Sequence, residues 1–223
     1  MREIVDGVFE VTMGYVHAHL IVVDDGVVLV DTGLPRRSAE IGRALHEMGR
    51  KVGEVTTILL THHHPDHTGG LAEVRRRSGA TVVAHELDVP LIDGSRVIRP
   101  RGLLWVAAKV MGTPEPAGVD HSLAGDGPTP VPGITAVHTP GHTAGHTSYL
   151  LDRDGGVLFA GDAAAGGRRR LGTTPRMVTE DPAQVPRSIA KLGRLDFDTA
   201  VFGHGPAVRG RAVEKFREYA GRA

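Results

Sequence analysis

Apolar and polar positions follow two patterns along this chain, and both patterns recur in each half. Apolar runs rich in β-branched residues predict strands. These runs cover residues 4–11, 16–23, 27–30, 56–61, 80–84, 134–138, 148–151, 157–160 and 199–202. Asp24-Asp25-Gly26 predicts a hairpin turn between the second run and the third.

Between these runs, apolar residues recur at helical spacing. Ile41, Leu45 and Met48 predict one helix, and residues 68–78 predict another. Asp181-Pro182-Ala183-Gln184 predicts a helix start, with Asp181 as N-cap and Pro182 at the first helical position. A short last helix is predicted from Val213, Phe216 and Ala220. Strands followed by helices in both halves predict an α/β protein in two layered halves.

Residues 86–130 fit neither pattern well. Proline and glycine recur there, around one apolar helical stretch at Leu103–Met111. We interpret the segment as a lid or crossover, with an ordinary surface connection as the alternative. Nothing else in the sequence separates domains, so we expect one domain over 1–223. Four apolar residues of the segment are expected to shape the pocket: Leu103, Leu104, Trp105 and Met111.

Composition excludes several classes of function. The 26 basic and 26 acidic residues balance, which argues against a nucleic-acid partner. Cysteine is absent, which excludes disulfide scaffolds, thiolate metal sites and a cysteine nucleophile. No apolar run approaches the roughly 20 residues of a membrane span, and the N-terminus lacks a signal pattern. We therefore expect a cytoplasmic enzyme for a small molecule, with no membrane partner; a homodimer is left open.

Histidine carries the candidate chemistry. The chain has 13 histidines, and four of them lie within His62-His63-His64-Pro65-Asp66-His67, directly after a predicted buried strand. In an extended segment His62 and His64 point to one side and His63 points away. Pro65 keeps His64 out of the helical region. Imidazoles and a carboxylate are suitable ligands for zinc, iron or manganese.

Three further candidate ligands, His142, Asp162 and His204, each follow an apolar strand and adjoin glycine. Together with the histidine cluster they complete a two-metal set. One metal would take His62, His64 and His142. The other would take Asp66, His67 and His204. Asp162 would bridge both.

These segments resemble motifs of the metallo-β-lactamase-fold hydrolase superfamily. THHHPDHTGG at 61–70 resembles its HxHxDH motif, VDTG at 30–33 its early DTG motif, and TPGHTAGHTS at 139–148 its PGHTxGH segment. Gly161-Asp162 and Gly203-His204-Gly205 match the bridging Asp and last His. Order and spacing agree from about residue 10 to 206. The resemblance implies a four-layer αββα sandwich with the metals at one edge between the sheets.

The resemblance also implies a reaction. Two divalent metals, with zinc favoured and iron or manganese as alternatives, would hold a hydroxide that attacks a carbonyl. Asp66 would ligate and orient the nucleophile or shuttle its proton. Asp31 would orient a ligand histidine from beneath the metal loop. His63 and His146 are expected to lie near the metals without binding them.

The substrate class stays open within the superfamily. A small ester, thioester or lactone is the first hypothesis. A mononuclear iron persulfide dioxygenase and a non-catalytic metal-binding protein are the alternatives. Only 19 residues follow His204, which disfavours a glyoxalase II role that needs a helical extension. His17 and His19 lie two apart on one predicted strand and so share a face, which is a candidate for the substrate cleft. Arg168-Arg169-Arg170 either bind an anionic substrate arm or are solvated.

Overall fold

The computed structural model describes residues 1–98, 112–167 and 170–222. The chain divides into two compact units, Met1–Ser122 and Leu123–Ala223. The residues expected to shape a pocket (Leu103, Leu104, Trp105, Met111) and two of the arginines (Arg168, Arg169) lie outside the described residues. The single domain over 1–223, with 86–130 as a lid, stays a prediction.

The first unit is built on a seven-stranded sheet in the order β1-β2-β3-β4-β5-β6-β7. Strands β1 to β4 pair antiparallel, and β4, β5 and β6 pair parallel. The strands are β1 Arg2–Val5, β2 Val8–Met13, β3 Val16–Val23, β4 Gly26–Val30, β5 Val55–Leu59, β6 Thr81–His85 and β7 His121–Leu123. The predicted hairpin between β3 and β4 is confirmed, with Val23 opposite Gly26.

Helices cover an apolar face of this sheet. They are α1 Ser38–Glu47, α2 Pro65–Thr68, α3 Leu71–Ser78 and α4 Val89–Ile92, with a 3-10 turn at Val52–Glu54. Ile41 and Leu45 of α1 and Leu71 of α3 join Leu29 and Ile58 of the sheet in one buried cluster. This core fixes the carboxyl ends of β4 and β5, where Asp31 and the histidine cluster begin.

The second unit has a six-stranded sheet in the order β13-β12-β11-β10-β9-β8. All neighbours pair antiparallel except β11 and β12, which pair parallel. The strands are β8 Gly127–Pro128, β9 Ile134–His138, β10 Thr147–Leu151, β11 Val157–Phe159, β12 Thr199–Val201 and β13 Val208–Arg209. Helices α5 Val185–Leu192 and α6 Val213–Ala220 and a 3-10 turn at Arg176–Val178 complete it.

Aromatic packing anchors the core of the second unit. Phe216 of α6 meets Phe197 edge to face, with ring centroids 5.2 Å apart, and stacks on Phe202 at 6.3 Å. Phe202 directly follows β12, so this packing fixes the strand end that leads to His204. Edge-to-face and offset aromatic pairs stabilise beyond their buried area.

Three predicted elements differ from the structure. The run 4–11 forms two strands, because Gly7 takes a φ of +66° and turns the chain between them. The helix predicted over 68–78 is α2 and α3, separated at Gly69-Gly70. The helix predicted to start at Asp181 starts at Val185, because the Asp181 carboxylate accepts a hydrogen bond from the Ala183 N–H in a turn.

Among the residues that the structure describes, no helix combines the length and the apolar character needed to cross a bilayer.

Candidate metal centre

The metal loop, residues 62–67, joins β5 to α2 in the first unit. His64 caps α2 in an extended conformation, with φ −63° and ψ +149°, and Pro65 is the first helical residue. His62 and His67 are buried. The ring centroid of His62 lies 4.7 Å from that of His64 and 4.1 Å from that of His67. The loop therefore brings three predicted ligand imidazoles together, with Asp66 in the first turn of α2.

The Asp31 carboxylate braces this loop from the end of β4. Its Oδ1 accepts the Thr61 N–H at 2.8 Å, and its Oδ2 accepts the Thr61 hydroxyl at 2.7 Å. His67 Nδ1 lies 2.8 Å from Oδ2. Asp31 is buried and holds a φ of +58°, a conformation that L residues rarely adopt. Asp31 therefore orients His67, one of the predicted ligands.

The hydrogen bonds at Nδ1 set the tautomers of His67 and His62. His67 donates from Nδ1 to the carboxylate, so its lone pair is on Nε2. The Thr61 hydroxyl gives its proton to Asp31, so its oxygen accepts from His62 Nδ1 at 3.0 Å. In both rings the Nε2 lone pair is thus the one suited to a metal. Hydrogen-bond partners behind a ligand histidine commonly fix its tautomer in this way.

Gly69 and Gly70, which follow the metal loop, lie where the backbone of residues 32–35 approaches closely. A Cβ on Gly69 would overlap the backbone of Leu34 and Pro35. The Gly69 N–H donates to Gly33 O at 2.8 Å, and the Thr32 N–H donates to His67 O at 2.7 Å. These contacts dock the loop on the turn that carries Asp31.

The ring of His63, which was expected to point away from His62 and His64, contacts the His64 ring edge to face, with centroids 4.8 Å apart. Its N–H donates to Asp88 Oδ2 at 3.0 Å, and its Nδ1 lies 3.1 Å from the same oxygen. Asp88 is buried. The sequence analysis missed Asp88. Its position before a proline-containing helical turn was the only local signal.

The second unit brings its three predicted ligands together. His142, Asp162 and His204 follow β9, β11 and β12. The Asp162 Oδ2 lies 3.3 Å from His142 Nε2 and 3.3 Å from His204 Nε2. Tetrahedral ligands roughly 2.0–2.1 Å from a zinc ion lie about 3.3 Å apart, so this spacing suits ligands of a shared cation.

His142 has its own supporting chain of hydroxyls. The Thr179 hydroxyl donates to Pro175 O at 3.0 Å, so its oxygen accepts from Thr174 Oγ1 at 3.1 Å. The Thr174 oxygen then accepts from His142 Nδ1 at 2.9 Å. His142 therefore presents Nε2 in the same tautomer as His62 and His67. The sequence analysis missed Thr174, which lies 32 residues away.

His146 lies beside Asp162, one of the predicted ligands. Its Nε2 accepts the Asp162 N–H at 2.9 Å. That bond uses the lone pair that a metal would need. The expectation that His146 hydrogen-bonds near the site is confirmed.

A buried polar cluster lies on strands β1 to β3 of the first unit. Glu10 Oε1 accepts from Arg2 at 2.9 Å and lies 3.9 Å from His17 Nδ1; Glu10 Oε2 lies 4.0 Å from His19 Nε2. Burial, and to a smaller extent the charges of His17, His67 and Arg2, lower the pKa of His19 from 6.5 to about 3. His19 is therefore neutral at physiological pH. Both histidines share one face, as predicted; Glu10 was missed.

Comparison with known proteins gives these features a context. The profile described as the metallo-beta-lactamase superfamily matches residues 11–204. A "Probable metallo-hydrolase YflN" of Bacillus subtilis (strain 168) is 30% identical over 207 residues, covering 82% of this chain and 77% of that protein. A "Hydroxyacylglutathione hydrolase" of Pseudomonas paraeruginosa is 33% identical over 183 residues, covering 78% and 54%. The chain spans about half the length of the hydroxyacylglutathione hydrolases that it matches.

Solved structures confirm the fold class. BJP-1, a subclass B3 metallo-β-lactamase of Bradyrhizobium japonicum, superposes with a TM-score of 0.77 at 24% identity, covering 99% of this chain and 89% of that one. The Rm3 metallo-beta-lactamase superposes with a TM-score of 0.68 at 28% identity, covering 89% and 75%.

Proposed function

From the premise that this chain belongs to the metallo-β-lactamase superfamily and is a metallo-hydrolase, we propose that it holds two divalent metal ions and hydrolyses a small thioester, ester or lactone. Zinc is the favoured metal, with iron or manganese as alternatives. A thioester is the favoured bond because several relatives carry the name hydroxyacylglutathione hydrolase.

The proposed ligands are those that the sequence predicts. His62, His64 and His142 would hold one metal, and Asp66, His67 and His204 would hold the other. Asp162 would be a ligand of both. The donor set supports this assignment, since imidazole nitrogens and carboxylate oxygens suit zinc, iron and manganese.

One observation carries the proposal. Asp162 Oδ2 lies 3.3 Å from the Nε2 atoms of both His142 and His204, and the residues around it fix which atoms point inward. Asp162 and His142 are buried, and burying a carboxylate is costly unless it is paired or binds a metal. A cation at this position would offset that cost.

Bound divalent metals supply two things to a hydrolysis, a more acidic water and a polarised carbonyl. The protein supplies the rest. Asp66, half-buried in the first turn of α2, orients the attacking water and takes up its proton. Asp31 and Thr61 keep His67 and His62 in the neutral tautomer that ligation needs. The hydrogen bonds that orient the His62 and His67 rings limit the reorganisation that ligation requires.

The test is the metal content of protein purified without chelator, together with hydrolysis of a panel of thioesters and lactones. We expect two metals per chain and turnover, with both lost in His64→Ala and Asp162→Ala. His46→Ala is the matched control, because His46 is exposed on α1. One iron per chain, no hydrolysis and oxygen uptake with a persulfide would contradict the proposal. Two metals with no turnover on the panel would contradict the substrate class.

A further inference from the structure

His146 is a buried histidine that the proposed ligand set does not use. It lies in the loop between β9 and β10 and has no exposed surface. Its two ring nitrogens engage two different segments: Nε2 meets the backbone of Asp162, and Nδ1 meets the side chain of Thr139. The ring therefore connects a proposed ligand to the sheet of the second unit.

The hydrogen bonds around His146 form a series, and the direction of each one is fixed. The Asp162 N–H can only donate, so His146 Nε2 accepts at 2.9 Å and Nδ1 carries the ring proton. Nδ1 then donates to Thr139 Oγ1 at 2.8 Å. Thr139 donates onward to Ser148 Oγ at 3.0 Å, and Ser148 donates to Ala160 O at 3.1 Å.

This series of hydrogen bonds starts at the Asp162 N–H and ends at the carbonyl of Ala160, two residues earlier in the sequence. Gly161, with a φ of +53°, lies between Ala160 and Asp162 and turns the backbone. Ala160 is also bound to β12, through its N–H and Val201 O at 2.8 Å. The backbone on both sides of Gly161 is therefore fixed, and only the Asp162 side chain remains to be aimed.

We propose that His146 is a positioning residue for the bridging carboxylate. By accepting the Asp162 N–H, it sets the main-chain orientation that brings Oδ2 to 3.3 Å from His142 and His204. This inference rests on the proposed function, since it takes Asp162 as a metal ligand. Removing outer hydrogen-bond partners of ligands typically lowers metal affinity by about 10–100-fold.

Two amide substitutions separate the two ends of the ring. His146→Gln places an amide oxygen near the position of Nε2 and keeps an acceptor for the Asp162 N–H. His146→Asn reaches only as far as Nδ1, so it keeps the bond to Thr139 and loses the acceptor. Zinc affinity, measured by competition with a chromogenic chelator, and the visible spectrum of the cobalt(II)-loaded protein report on coordination apart from activity.

We expect His146→Asn to lower zinc affinity by about 10–100-fold and to change the cobalt spectrum. His146→Gln is expected to stay within about threefold of wild type, within the scatter expected when a hydrogen bond is replaced. Thr139→Val, which cuts the chain behind the ring, is the matched control and is expected to lower affinity less than His146→Asn. Thermal unfolding of the metal-free variants reports whether each one folds.

Several results would overturn the inference. A folded His146→Asn with wild-type zinc affinity and cobalt spectrum would do so, as would a His146→Gln that loses as much affinity as His146→Asn. If the Asn variant does not fold, the Gln variant decides: a wild-type cobalt spectrum supports the role and a changed one contradicts it. Wild-type protein that binds two metals and hydrolyses nothing would overturn the proposed function and leave this inference standing.

Discussion

The two units present their proposed ligands in opposite ways. The first unit places four of them within six consecutive residues, the metal loop 62–67, and braces that loop with two carboxylates, Asp31 and Asp88. The second unit collects three ligands from separate strand ends between His142 and His204. It braces them with neutral groups, the Thr174 hydroxyl and the His146 ring.

The two units differ in how the hydrogen bonds that support the proposed ligands are distributed among residues. Hydrogen bonds to a charged group contribute about 1.5–3 kcal/mol, against about 0.5–1.5 kcal/mol for neutral pairs. The support of the proposed ligands His62 and His67 thus comes mostly from one residue, Asp31. In the second unit the support is spread over several weaker bonds. Single substitutions should therefore do more damage around the metal loop than around His142.

The largest effect is expected from Asp31→Asn. The substitution removes the charged acceptor of Thr61 and His67 and places an amide in a buried site. We expect the free energy of unfolding to fall by roughly 3 kcal/mol and zinc affinity to fall by about 10–100-fold. Chemical denaturation and chelator competition measure the two. Asp25→Asn, in the exposed hairpin turn, is the control and should change neither; an Asp31→Asn protein that matches it would contradict the account.

Gly69→Ala tests the docking of the metal loop. The new Cβ has no room against the Leu34–Pro35 backbone, so the loop must shift. We expect a loss of about 1–3 kcal/mol in the free energy of unfolding, the usual cost of overpacking. Gly53→Ala is the matched control, because space around Gly53 is open. Equal stability of the two alanine variants in urea would show that the close approach is unimportant.

Acidification should also affect the first unit. The pKa of His19 is about 3 in the folded chain and about 6.5 when unfolded, so only the unfolded state gains this proton as pH falls below 6.5. At pH 5.5 this costs the folded state about 1.4 kcal/mol relative to pH 8. The charged and titratable neighbours are Arg2, Glu10, His17 and His67.

His19→Gln removes that contribution. Denaturation of the metal-free protein at pH 8 and 5.5 should show a stability loss smaller by about 1.4 kcal/mol in the variant than in wild type. His121→Gln, an exposed histidine, is the control and should lose as much as wild type. A His19→Gln protein with the wild-type pH dependence would contradict the lowered pKa.

The smallest effect is expected from Thr174→Val in the second unit. It removes one neutral hydrogen bond to His142 Nδ1 and keeps the shape of the side chain. We expect a loss of about 1 kcal/mol in stability and a smaller drop in zinc affinity than for Asp31→Asn. Thr135→Val, at an exposed position of β9, is the control. A Thr174→Val loss as large as that of Asp31→Asn would remove the contrast between the units.

The same contrast explains what the sequence could predict. The metal loop was recognisable because its ligands are contiguous and follow a buried strand. Asp31 could be predicted because it ends a strand in a known motif. Thr174, Asp88 and Glu10 could not, because their partners lie 32, 25 and 9 residues away and are defined only by tertiary packing.

Local sequence signals also led to wrong predictions where a residue had two conformational options. Asp181 has the composition of an N-cap, yet its carboxylate binds the Ala183 N–H and forms a turn before α5. Gly7 is compatible with a strand on apolar pattern alone, yet its positive φ separates β1 from β2. Both cases depend on backbone choices that hydrophobic periodicity does not encode.

The most direct test of the account is the number of divalent metal ions per folded chain, measured by elemental analysis on protein purified without chelator, for wild type and Asp162→Asn. The account predicts a ratio of two for wild type and a clear loss of metal in the variant, because Asp162 is the proposed bridge between the two sites. A wild-type ratio of zero or one, or an Asp162→Asn protein that still holds two metals, would contradict it.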